Sequence, residues 1–363
     1  MQAHPVILSD LMSFDPRDLI YILLGGMIGA GLALLFIVIL YFFSDYRKHR
    51  AYRDRIFKRL ETADMMGQEN MTLDALSIYN ELLLNIPKEL EPDLYARIKK
   101  SEGDCFYSTA LAHNNHESLI KAINSYQDAL SYGNYQKKPA LYSSVQTRLG
   151  EAHLKISEFY RKEESLTKAV YAFREALRSH TRDTDPVSYA LVQFKLGLSC
   201  RALYESGNSE SSVQSAIAAF NEALKIYTVE TYPVNYAETQ NQLGFLYLKL
   251  SRMREQKENL ILALAAFSNA LRIYTLEKYP AEFASVQKNM GSAYASLSMI
   301  HRETENFMRA IDAFHEALKV YTVEAFPALY AWIEDSLGTV YLELAQVSDK
   351  SDNLLKAAAA YEE

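Results

Sequence analysis

Few residues of this 363-residue chain are spaced for covalent chemistry. His113 and His116 stand three apart with Glu117 beside them, a spacing that could offer a metal ion two ligands. The segment HNNHE lacks the H-E-x-x-H order, and no further Cys or His follows to complete a ligand set. Cys105 and Cys200 form no C-x-x-C pair, so both are expected as buried helix residues without a disulfide or zinc role. No G-x-S-x-G, P-loop or Cys–His pattern occurs, and the glycines nearest to a phosphate-loop spacing lie inside an uncharged run. The expectation is a protein that is not an enzyme and holds no cofactor and no metal.

That uncharged run is itself informative. Leu19 to Phe43 gives 25 residues without a charge, roughly 37 Å of helix, enough to cross a bilayer core with some tilt. The run is too long for a cleaved leader, and Arg17 stands among Asp10, Asp15 and Asp18, so a retained transmembrane helix is expected. Gly25 and Gly29 form a GxxxG in it, a spacing through which two such helices can associate. Arg47, Lys48, Arg50, Arg53, Arg55, Lys58 and Arg59 crowd the carboxyl side, which places that side in the cytoplasm and residues 1–18 across the membrane as a short tail. A single-pass protein of a bacterial inner membrane is the expected setting. The chain's net charge of −7 conceals a contrast: residues 44–60 sum to +5 and residues 61–363 to −10. An acidic body of that kind excludes nucleic acid as a partner, while the basic strip can lie against anionic lipid.

The elements that must carry any binding surface announce themselves by period. Aromatic residues return every 47 positions at Tyr79, Tyr126, Phe173, Phe220, Phe267, Phe314 and Tyr361. Pro92, Pro139, Pro186, Pro233, Pro280 and Pro327 keep the same step, as do Gly103, Gly150, Gly197, Gly244, Gly291 and Gly338 and the alanines from Ala75 to Ala357. Such an array stacks one continuous core instead of folding separate domains. In the unit from Pro233, proline opens a helix A on which Tyr236, Leu243, Leu246, Tyr247 and Leu250 share a side. Asn259 is placed to cap a helix B carrying Leu260, Leu264, Phe267, Ala270, Leu271 and Tyr274, and Ser118, Ser165, Ser212, Asn306 and Asn353 repeat that cap. Mid-helix glycine costs about 1 kcal/mol against alanine, so its return predicts a close crossing of helices A and B. Stepping back 47 residues from Pro92 and Gly103 makes the basic segment 44–71 the first helix A, with Ile56, Phe57 and Leu60 covering the helix at 72–86.

The order Leu243–Gly244, Tyr247, Ala263, Phe267, Ala270 and Pro280 resembles the tetratricopeptide repeat (TPR), W-x2-L-G-x2-Y…A-x3-F…P over 34 residues. Here the step is 13 longer, and Gln146, Gln193, Gln240 and Gln287 stand at the tryptophan position. Over about residues 72–363 the resemblance implies an all-α, right-handed TPR-like solenoid whose A helices line a groove for peptides or proteins. By register that groove would include Arg97, Lys100, Phe194, Arg201, Asn241, Phe245, Lys249, Lys288, Trp332 and Asp335, with Phe194, Phe245 and Trp332 the best anchors because large apolar groups there lack a packing reason.

The leading expectation is a membrane-anchored adaptor that recruits cytosolic protein partners. A self-assembling coat and an anchored receptor for protein targeting are the other two. For the coat, Leu354, Leu355, Ala358 and Tyr361 leave the last helix B apolar, an expected homo-oligomer contact.

Overall fold

The computed structural model describes residues 50–362, apart from 68, 70, 90, 134, 135, 208 and 209. The expected tail, the transmembrane run 19–43 and its Gly25 and Gly29 lie outside these residues. Among the described residues no helix is long and apolar enough to cross a membrane. They form fourteen helices and no strand, and the chain divides into two compact units, Met1–Asn85 and Ile86–Glu363.

In the first unit α1 spans residues 50–67 and α2 spans Thr72–Asn85. Ile56, Leu60 and Ala63 bury one side of α1, and Ala75, Tyr79 and Leu82 one side of α2. Phe57 is only half-buried. The two helices are tied by the Tyr79 hydroxyl donating to Asp64 at 2.7 Å and by Arg59 donating to Glu81 through two 2.5 Å bonds.

The second unit alternates A and B helices: α3 (Pro92–His113), α4 (His116–Tyr132), α5 (Pro139–Ile156), α6 (Lys162–Ala176), α7 (Pro186–Gly207), α8 (Glu210–Ala223), α9 (Pro233–Leu250), α10 (Gln256–Leu271), α11 (Pro280–His301), α12 (Thr304–Leu318), α13 (Pro327–Leu344) and α14 (Lys350–Glu362). Every A helix opens on one of the six prolines, whose missing N–H would have had no helical acceptor there. Each A helix packs most extensively on the B helix that follows it.

The repeated glycine gives way to a ring, not to a helix backbone. A Cβ on Gly244 would meet Cε1 of Phe267 at 2.5 Å, and Gly103, Gly150, Gly197, Gly291 and Gly338 face Tyr126, Phe173, Phe220, Phe314 and Tyr361 in the same way. Helix A thus offers a flat patch onto which the aromatic residue of helix B lies.

The expected B-helix caps are corrected by the structure. Ser165, Asn259, Asn306 and Asn353 sit inside the first helical turn and are buried. Their side chains donate backwards: Asn259 to the Arg254 carbonyl at 2.9 Å, Asn353 to that of Ser348 at 2.8 Å and Ser165 to that of Tyr160 at 3.1 Å. These three satisfy carbonyls of the A–B turn, which helix ends leave unpaired, while Asn306 donates to the Glu303 carboxylate at 2.7 Å. Asn115 does act as a cap, accepting from the Glu117 N–H at 2.9 Å. In the five units of this series where the turn is described it takes one left-handed residue: Asn114 (φ 49), Arg161 (φ 40), Glu255 (φ 43), Arg302 (φ 52) and Asp349 (φ 33). None is glycine, so the period is invisible in the glycine series.

The A helices also alternate between 22 residues (α3, α7, α11) and 18 (α5, α9, α13). In the shorter three the last turn tightens to i→i+3 bonds, as in Met253 N–H to the Leu250 carbonyl at 2.9 Å and Val347 N–H to that of Leu344 at 3.0 Å. Helix B ends at Leu271 in the α10 unit, so Tyr274 falls in the turn beyond it, buried and edge-on to Tyr279 at 5.5 Å.

Candidate partner-binding surface

The A helices place their equivalent side chains one above another, and along that surface the charges divide into two zones. Across α3, α5 and α7 they neutralise one another. Lys100 donates to Asp104 at 2.6 Å, Asp104 also takes Arg148 at 3.2 Å, Arg148 pairs with Glu151 at 2.9 Å, and Lys195 reaches Glu151 at 3.7 Å. The Tyr126 hydroxyl adds a bond to Asp104 at 2.8 Å. Burial, then the Asp104 charge, raises that phenol far above its usual range, so it stays a donor.

From α7 to α13 the pattern changes. The Phe245 ring on α9 has two cations over it, the Arg201 guanidinium of α7 at 5.3 Å and the Lys249 ammonium at 5.2 Å. Lys288 on α11 stands 5.4 Å from the Trp332 ring of α13. Burial and the neighbouring Lys249 charge hold Lys288 below the ordinary lysine range. Arg201 has Glu205 at 3.5 Å, with its Nε buried and unpartnered, while neither Lys249 nor Lys288 forms an ion pair among the described residues. Glu238, the nearest carboxylate on α9, is engaged by Gln242 at 2.6 Å and Tyr274 at 3.1 Å. Asn241, one turn before Phe245, keeps a buried Oδ1 without a donor. Cations over aromatic faces in a partly desolvated strip each contribute about 0.5–2 kcal/mol of attraction, which fixes their position.

The residues expected at the groove therefore part company. Arg201, Asn241, Phe245, Lys249, Lys288 and Trp332 come together in one strip across four A helices. Lys100 belongs to the self-neutralised zone, and Arg97 and Asp335 are exposed. Phe194 is a correction: it is half-buried, 5.6 Å from the Phe220 ring, and packs on the core, so it has the packing reason that sequence position denied it. Trp332 is 45% exposed although its edge meets Phe314 at 6.2 Å, so a large apolar face remains open. The strip's positive character was hidden in the sequence by the net charge of the body, which averages over all faces of every helix. His113 and His116 close and open helices at the first A–B turn, and no group of three metal-capable side chains occurs among the described residues.

No family model matches the chain, and no curated protein matches it. Among solved structures it is similar to the C-terminal part of a TPR repeat-containing protein from Cytophaga hutchinsonii, with 16% identity, a TM-score of 0.52, and coverage of 84% of this chain and 93% of that one. BtubC (BKLC) from P. vanneervenii is 18% identical over 69% of this chain and 87% of its own, with a TM-score of 0.44. The fold of the chain is an all-α, TPR-like helical repeat.

Proposed function

We propose that the chain is a membrane-anchored, TPR-like adaptor that recruits protein partners on the exposed face of its A helices. The observation that carries this reading is the strip from Arg201 to Trp332, where cations and aromatic faces are held in place without saturating one another. Anchoring follows from the charge-free run 19–43 and the cations after it. The strip favours recruitment of a partner over a self-assembling coat, which needs no such surface.

A photo-cross-linking amino acid at Phe245 of the full chain, in its own membrane, should capture a partner protein. The same group at Ile261, 50% exposed on helix B, should not. Equal capture at the two positions, or none at Phe245, would remove the A-helix face as the recruiting surface.

A further inference from the structure

Deepening and resting on that reading, we infer that the occupant of the strip is an extended, acidic segment of a partner protein, its carboxylates meeting Arg201, Lys249 and Lys288. Two observations point there. In the α3–α7 zone Lys100, Asp104, Arg148, Glu151 and Lys195 neutralise one another, whereas neither Lys249 on α9 nor Lys288 on α11 forms an ion pair among the described residues. Packed helices lie about 8–10 Å apart, so cations on three successive A helices cover a length that a single small anion does not span. The body, at −10 over residues 61–363 with the strip's cations included, would further repel a polyanion large enough to overrun the strip, while a short acidic stretch meets only the local cations.

The test uses the full chain in detergent and a fluorescein-labelled peptide of alternating glutamate and glycine, amidated so that no terminal carboxylate contributes. Its glutamine counterpart is the control. The glutamate peptide is expected to bind at least about ten-fold more tightly, with affinity falling as salt is raised. Lys249→Glu with Lys288→Glu should abolish that preference and confer binding of the matching lysine peptide. Lys155→Glu, which alters net charge equally per residue but lies in the neutralised zone beside Glu158, should leave affinity within about two-fold. If the double reversal unfolds the chain, Lys249→Gln with Lys288→Gln is read instead and should lose most of the preference. Equal binding of the two peptides overturns the inference, as does an equal loss in Lys155→Glu or displacement of the peptide by single-stranded DNA at lower concentration than by itself. Low-salt self-association that the double reversal removes would make the occupant a second copy, and that too overturns it. Cross-linking at Phe245 without a glutamate preference would leave the recruiting surface standing and reject only its acidic occupant.

Discussion

At the scale of single residues, the contact between each A-helix glycine and the ring of helix B should dominate stability. Gly244→Ala places a methyl group 2.5 Å from Phe267, a side chain that is fully buried and cannot retreat, and should cost about 1–3 kcal/mol in urea unfolding. Gly133→Ala meets the Ala129 carbonyl at 3.0 Å and the Ala96 Cβ at an ordinary 3.7 Å, at the end of α4, and should cost well under half as much. Shortening the ring with Phe267→Leu in the Gly244→Ala background should recover part of the loss, giving a coupling energy that independent sites would not show. His153 supplies a second residue-scale test. It is buried, its Nδ1 has no partner, and burial aided by the Lys168 charge pushes its pKa down from 6.5 to about 4. The unfolded chain takes up that proton first, so the stability due to the neutral ring is complete above about pH 6.5 and is lost as pH falls toward 4, on the order of 2–3 kcal/mol. Phe106, Tyr247, Tyr294 and Tyr341 fill the same register. His153→Phe should therefore flatten the difference between pH 7 and pH 4.5; an unchanged slope would place the acid sensitivity elsewhere.

At the scale of elements, the A–B turn carries a non-glycine left-handed residue in each unit where it is described. A side chain pays about 1–2 kcal/mol in that region, and a β-branched one more. Glu255→Gly should hold or slightly raise the thermal midpoint, whereas Glu255→Val should lower it. The opposite order would mean that the turn is set by the Glu255 side chain and not by its backbone. These turns also mark the limit of what the sequence discloses. Proline starts and buried alanines are legible because each depends on a residue type that few positions tolerate, whereas the glycine series disclosed a close approach without disclosing that a ring makes it. Asn259 and Asn353 misled because the same amide can cap a helix or staple the turn before it, and only their burial decides between the two. Phe194 misled in the same way: register puts it on the open face, but the Phe220 ring draws it onto the core. The cation–aromatic strip could not be read from net charge, since it depends on which helix face each lysine occupies.

At the scale of the whole molecule, the second unit is a stack of helix pairs, with function assigned to a surface on which Lys249 and Lys288 form no ion pair among the described residues. The central claim is that this surface, from Arg201 to Trp332, receives a partner segment. Trp332 is the sole tryptophan of the chain and stands in that strip against Lys288, so its emission reports directly on occupancy. Titrating the full chain with the glutamate–glycine peptide should change Trp332 fluorescence saturably, with the same midpoint as peptide polarisation, and the change should vanish in Lys249→Glu with Lys288→Glu. Saturable binding by polarisation with no response from Trp332 would place the peptide elsewhere and contradict the account.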